Sequence, residues 1–232
     1  MMERNNGRIN MQLKYDTVIF DLDGTLLNTL DDLADSVNTV LEQEGYMTRN
    51  LEEIRAFVGH GVKNLMEKSL PAETCEDEIL RCLSSFRDYY LKNMLCKTRP
   101  YDGIEELLKS LKEKGIKTAV VSNKLDAATK EMCSFFFHGL INVAVGDMEG
   151  RKKKPAPDSV FEVLKQLDSK KEHTIFVGDS NTDVQTAKNA GLICVGVTWG
   201  FRSKEVLEEE GADYIIDRPE EFADLFRRLS KE

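Results

Sequence analysis

A strand that ends in two carboxylates and has no successor before Ile116 constrains this chain more than anything else in it. Residues 15–20 read YDTVIF, short, apolar and β-branched, as a buried strand does. They run into Asp21-Leu22-Asp23-Gly24-Thr25, a turn built of carboxylates and glycine. Helical spacing follows. Leu30, Leu33, Ala34, Val37, Val40 and Leu41 share one face, Asp31 and Asp32 suit the positive end of the helix dipole, and Gly45 stands where a helix stops. Residues 51–57 and 62–70 read as shorter helices around the loop Val58-Gly59-His60-Gly61, and residues 73–94 as a longer one.

After Arg99-Pro100 the pattern alternates. Strands are expected at 116–121, 140–145, 174–177, 192–197 and 214–216. Helices are expected at 104–111, 127–136, 159–167 and 183–190, with a last amphipathic one marked by Phe222, Leu225, Phe226 and Leu229. Strands spaced by helices of this length predict an α/β fold, a doubly wound parallel sheet with right-handed crossovers and helices on both faces. Residues 1–29 and 99–232 are expected to form that core. Residues 30–98, helical throughout, are expected to be an inserted cap domain on two linkers.

Composition narrows the function. The 232 residues are 41% hydrophobic and 31% charged, which excludes a disordered chain. Lys and Arg number 32 against 41 Asp and Glu, a net charge of −9 that repels phosphate at long range and argues against nucleic acid as a partner. An anionic ligand then needs a local site. No apolar run reaches the roughly 18–20 residues of a membrane helix, and the polar first 14 residues lack a signal-peptide core. Those first residues are expected to fray, with Met11 as an alternative start. The five cysteines form no CxxC pair and read as free, mostly buried thiols of a cytoplasmic protein, monomeric or a small homo-oligomer.

Ligand sites in doubly wound sheets lie beyond the carboxyl ends of the strands. Those ends carry Asp21 and Asp23, Ser122 and Asn123, and Asp179 with Asp183 close behind. Four converging carboxylates repel one another unless a cation sits among them, and oxygen donors without a His or Cys cluster favour Mg2+. A metal-bound carboxylate stays ionised and can be a nucleophile, while another can carry a proton. Phosphate suits such a site: Gly24 permits close backbone approach and N–H donation, Ser122 offers a hydroxyl, and the run Arg151-Lys152-Lys153-Lys154 an ammonium.

YDTVIFDLDGTLLNT, VVSNK, KKKPAPD and FVGDSNTD, in this order and spacing, resemble the four signature motifs of haloacid dehalogenase-like (HAD) phosphohydrolases. The helical insert after the first motif resembles the cap of the phosphoglycolate-phosphatase-like branch. The resemblance implies a Rossmann-like core and a phosphatase dependent on Mg2+. Asp21 would become an aspartyl phosphate. Asp23 would be the acid and base, its backbone carbonyl also touching the metal, with Thr25 holding it in place. Ser122 and Lys154 would bind the phosphoryl oxygens, and Asp179 and Asp183 the metal. The presence of Asp23 points away from dehalogenation. The glycine loop holding His60 and Gly61 resembles a cap loop that meets substrate, and Arg55 and Lys63 nearby are candidates for a second anionic group.

The substrate implied is a small phosphorylated metabolite, phosphoglycolate first, with sugar phosphates, nucleotides and pyrophosphate open. The rivals are a β-phosphoglucomutase-type phosphomutase and a catalytically silent sensor. Plainer readings accompany the motifs. Asp183 also suits a helix cap, Ser122 and Asn123 a turn, and Arg151 to Lys153 a solvated run. The segment Thr198-Trp199-Gly200-Phe201-Arg202 resembles a loop that many relatives carry beside the site, though core packing is the favoured reading of Trp199 and of Phe135 to Phe137; His138 and His173 suit structural roles.

Overall fold

The computed structural model describes residues 14–230; the fraying expected of the first residues and the alternative start at Met11 lie outside them. The apolar segment before the first turn forms β1 (Thr17–Phe20), all four residues buried, and a two-residue strand β2 (Leu27–Asn28) follows. Four helices come next: α1 (Leu30–Gln43), α2 (Leu51–Phe57), α3 (Val62–Ser69) and α4 (Glu76–Asn93). A second two-residue strand, β3 (Arg99–Pro100), returns the chain to the sheet. The rest alternates: α5 (Ile104–Glu113), β4 (Lys117–Leu125), α6 (Asp126–Phe136), β5 (Val143–Asp147), α7 (Asp158–Leu167), β6 (Thr174–Gly178), α8 (Asn181–Ala190), β7 (Ile193–Val197), α9 (Lys204–Glu210), β8 (Tyr214–Ile216) and α10 (Glu221–Leu229).

Six strands form one parallel sheet in the order β5-β4-β1-β6-β7-β8. The chain winds outward from β1 through β4 to β5, then crosses to β6 on the other side. The crevice at that reversal is where a doubly wound sheet takes its ligand. Alternate residues along each strand feed two buried clusters. Val18, Phe20, Val120, Ile175 and Val177 face α5, α6 and α10, while Ile19, Ala119, Val121 and Phe176 face α7 and α8. The first cluster continues into the insert through Leu33, Val37, Phe86 and Tyr90.

The insert keeps its helices for local reasons. Asn50 caps α2, its side chain accepting the Glu53 N–H while the Glu53 carboxylate accepts the Asn50 N–H. The two linkers pair with each other as an antiparallel ribbon, Leu27 opposite Pro100 and Asn28 opposite Arg99. At two residues a strand is too short for periodicity to reveal it.

Other expectations shift. The strand expected at 140–145 lies at Val143–Asp147, because Leu140 N–H turns back to the Phe137 carbonyl and Asn142 bonds the Thr118 backbone N–H. The strand expected to end at Val121 runs to Leu125, so Ser122 and Asn123 belong to β4 and not to a turn. Phe137 is buried, but Phe135 is 63% exposed, since the helix directs it outward. Cys82, Cys133 and Cys194 are buried, Cys75 and Cys96 exposed, and all five are free. Among the described residues no helix is long and apolar enough to cross a membrane.

Candidate active site

Parallel pairing sets the ends of β1 and β6 side by side, Phe20 opposite Val177, and the Asp21 N–H continues the ladder to the Val177 carbonyl at 2.9 Å. The residues leaving those strands, Asp21 and Asp179, therefore emerge together. Asp183 joins them from the first turn of α8, and the three carboxylates each offer an oxygen within 4.8 Å of the others. All three are buried. One cation answers them directly: Lys154 Nζ lies 2.8 Å from Asp21 Oδ1 and 2.7 Å from Asp183 Oδ1. Three carboxylates against one ammonium leave two negative charges uncompensated in a buried site. A divalent cation matches that deficit.

The titration of these groups reflects the same imbalance. Burial, then the Asp183 charge, pushes the Asp21 carboxyl up out of the usual carboxylate range; Asp179 is raised by the same two causes. Burial opposes the charge on Lys154, but Asp183 and Asp21 outweigh it and hold the ammonium above its usual value. Asp21 Oδ1 has no aligned hydrogen bond despite its contact with Lys154. It is a buried acceptor left open.

The oxygens of Asp179 and Asp183 are engaged. Asp179 Oδ1 accepts from Thr25 Oγ1 at 2.9 Å, and Oδ2 from the Phe201 N–H at 2.7 Å. Asp183 Oδ2 accepts from the Ser180 N–H and hydroxyl at 3.0 and 2.6 Å, completing a capping box at the start of α8. Both readings of Asp183, cap and cluster member, hold at once.

Asp21, Asp23, Ser122, Asn123 and Lys154 line one pocket with Lys124 and Ser180. Its other wall comes from the insert: Leu33, Val58, Val62 and Leu65, with Gly59 and Gly61. The Asp23 side chain stands apart from the acidic cluster, both its oxygens paired with Lys124 Nζ at 3.0 and 3.1 Å. Lys124 is 4% exposed, and its ammonium lies 4.6 Å from the centre of the Tyr90 ring of α4.

The family model for haloacid dehalogenase-like hydrolases matches residues 18–197, from β1 to the end of β7. The chain belongs to that family. A phosphoglycolate phosphatase of Aquifex aeolicus is 32% identical over 90% of this chain and 95% of its own length. A Caldanaerobacter subterraneus protein provisionally named a pyrophosphatase is 34% identical over 88% and 91%. A solved structure from Lactobacillus delbrueckii subsp. bulgaricus superposes with a TM-score of 0.86 at 34% identity, covering 95% of this chain and 100% of that one. The chain falls in the phosphoglycolate-phosphatase-like branch of the HAD hydrolases.

Several HAD-motif residues serve differently from what their positions suggested. Thr25 holds Asp179, not Asp23. The Gly24 N–H is spent on the Leu27 carbonyl at 2.9 Å, so it offers nothing to a phosphate. Gly24 instead gives room: at φ +91° it faces the Asp179 carboxylate, which any Cβ there would overlap. Asn123 lines the pocket, yet its amide is engaged. Nδ2 donates to the Gly59 and Lys154 carbonyls, each at 3.0 Å, and Oδ1 accepts the Lys154 N–H at 2.8 Å.

From the insert, Gly61 reaches the pocket and His60 does not; its ring is exposed. Lys63 is held by Glu76 at 2.6 Å, Arg55 lies near Glu52, and neither lines the pocket. Of the basic run, Lys152 and Lys153 are exposed as a solvated stretch would be and Arg151 is half-buried; Arg151 pairs with Glu162 and Lys153 with Asp147, each at 2.8 Å. Trp199 packs against the core as expected, and its indole N–H also donates to the Thr25 carbonyl at 3.0 Å.

Two contributors lie in segments singled out in sequence, VVSNK and the loop 198–202, but neither is assigned a role there. Lys124 stood in VVSNK, but a lysine in a strand carries no periodic signal. Phe201 acts through its backbone N–H, which no residue identity announces.

Proposed function

We propose that this HAD hydrolase is a Mg2+-dependent phosphatase that cleaves a small phosphomonoester, phosphoglycolate first, through a phosphoaspartate on Asp21. The observation that carries the reading is the convergence of Asp21, Asp179 and Asp183 beside Lys154 at the carboxyl edge of the sheet. Those three side chains, with the Asp23 backbone carbonyl, would hold the ion. When bound it supplies positive charge to the phosphoryl oxygens and keeps Asp21 ionised.

The chain's own residues do the rest. An Asp21 oxygen attacks phosphorus as the ester P–O bond breaks, and the leaving oxygen takes a proton from Asp23. Water then attacks phosphorus and gives a proton to Asp23 as the Asp21 O–P bond breaks, which releases inorganic phosphate and leaves Asp21 a free carboxylate and Asp23 protonated for the next ester. Lys154 and the Ser122 hydroxyl stabilise charge on the transferring group. Residues 30–98 act as the cap and close off bulk water.

The cap-side wall favours a short leaving group. A compact leaving group can keep its polar end on the core side, where Ser122, Lys124 and Ser180 line the pocket, whereas a hexose ring would bring hydroxyls against Leu33, Val58, Val62 and Leu65, whose side chains offer no hydrogen bonds. That disfavours the phosphomutase reading. Pyrophosphate, whose leaving group is also compact, is the second reading, supported by the Caldanaerobacter relative. The five free thiols fit a reducing compartment, and we place the enzyme in the cytoplasm.

The test is release of inorganic phosphate from a panel of esters, with and without Mg2+. Phosphoglycolate is expected to exceed hexose phosphates in kcat/KM by on the order of a hundredfold, about 2.7 kcal/mol of discrimination. Asp21→Asn is expected to lower kcat by at least about a thousandfold while the protein stays folded. No Mg2+-dependent release from any ester, or near-normal turnover by Asp21→Asn, would refute the assignment.

A further inference from the structure

The loop after β7, Thr198-Trp199-Gly200-Phe201-Arg202, begins in the acidic site and ends on the insert. Its first part is tied to the core, with the Trp199 indole on the Thr25 carbonyl and the Phe201 N–H on Asp179. The next side chain crosses over. Arg202 Nη1 donates to the Arg55 carbonyl at 2.8 Å and Nη2 to the Val58 carbonyl at 2.6 Å, with the Ala56 carbonyl at 3.4 Å. These oxygens belong to the last turn of α2 and the residue that ends it, where carbonyls lack intrahelical partners and the dipole is negative. A planar guanidinium can serve two such carbonyls at once, which a single ammonium cannot do with the same geometry.

What Arg202 grips is the base of the pocket-lining loop. Val58 and Gly59 line the pocket, and Gly61 does so where α3 begins. Gly59 and Gly61 both take positive φ, +121° and +87°, so the loop's own backbone resists bending weakly. A further polar tie from the loop to the sheet is the Asn123 amide on the Gly59 carbonyl at 3.0 Å.

We propose that Arg202 is a positioning residue, a latch on the core that holds residues 55–59 and so sets the apolar wall over Asp21 and Asp23. Because its partners are main-chain oxygens, the latch depends on the residue at 202 and hardly on the side chains at 55, 56 and 58. The consequence for turnover rests on the phosphatase reading above; the consequence for the loop does not. Without the latch the wall is set less often, and substrate binding weakens more than the chemistry slows.

The test uses the full chain with Arg202→Ala and Arg202→Lys and reads two quantities. The first is amide hydrogen exchange in the free protein. Residues 54–62 are expected to exchange at least about tenfold faster in Arg202→Ala, the change for loss of hydrogen bonds from a charged donor, while the amides of β6 keep the wild-type rate. The second is steady-state kinetics on whichever ester the wild type cleaves. KM is expected to rise about tenfold with kcat within about threefold, and Arg202→Lys is expected to fall between wild type and Arg202→Ala in both.

Unchanged exchange at 54–62, or a fall in kcat with no rise in KM, overturns the latch. If β6 also exchanges faster in the Ala variant, the fold itself is perturbed and Arg202→Lys decides by the same two readings. Absence of turnover in the wild type refutes the phosphatase reading and leaves the exchange comparison to judge Arg202.

Discussion

Asp179 is fixed on every side: Thr25 on one oxygen, the Phe201 N–H on the other, and Gly24 leaving space for the carboxylate. Its neighbours Asp21 and Asp183 crowd the same buried volume. Removing the cation proposed for this site therefore has a defined sign. The folded-state pKa values of Asp21 and Asp179 are raised above the unfolded ones, so the metal-free protein loses stability as pH climbs from the acidic carboxylate range through neutrality. Added Mg2+ is expected to raise Tm more at about pH 8 than at about pH 6, as thermal unfolding with and without chelator would read. An equal or smaller gain at the higher pH would contradict the charge deficit. Gly24→Ala tests the steric side. Positive φ and overlap with Asp179 together are expected to cost about 1–3 kcal/mol in denaturant unfolding and to remove most of the Mg2+ response.

At the scale of elements, the decisive piece is the paired linker. The ribbon of β2 and β3 is pinned by Asp32, a buried carboxylate in the first turn of α1. It accepts the Lys97 N–H at 3.0 and 3.1 Å and the Thr98 N–H at 2.9 Å. Read as sequence, Asp32 suits the dipole of its own helix; in the structure it also ties the chain entering β3 to the start of α1. Asp32→Ala leaves those N–H groups unpaired and is expected to lower unfolding free energy by about 1–3 kcal/mol, with Asp32→Asn in between. A change within about 0.3 kcal/mol for the Ala variant would show that water replaces the carboxylate at no cost.

Across the whole molecule, one buried cluster joins the insert to a face of the sheet. It runs from Phe86 and Tyr90 of α4 through Leu33 and Leu26 to Phe20, whose ring lies 6.3 Å from that of Phe222 in α10. The insert thus shares its core with the sheet. Thermal unfolding is expected to be a single transition with equal calorimetric and van't Hoff enthalpies; two resolved transitions would mean that residues 30–98 fold apart.

The alternation of strands and helices, the helical block after the first strand and the identities of Asp21, Asp179 and Lys154 were all legible in sequence. The elements and the two aspartates are carried by local signals, a periodicity of a few residues or a charged residue where an apolar strand ends; Lys154, one of four basic residues in a row, is singled out by Pro155 beside it and by the resemblance to the family motif. The partners were not legible. Thr25 meets Asp179 across 154 residues of chain, Lys124 meets Asp23 across 101, and Arg202 meets backbone oxygens that every sequence possesses. Periodicity says which face of an element is buried but not which atom lies 3 Å away. That depends on how the sheet twists and how the insert seats, and the packed structure alone decided it.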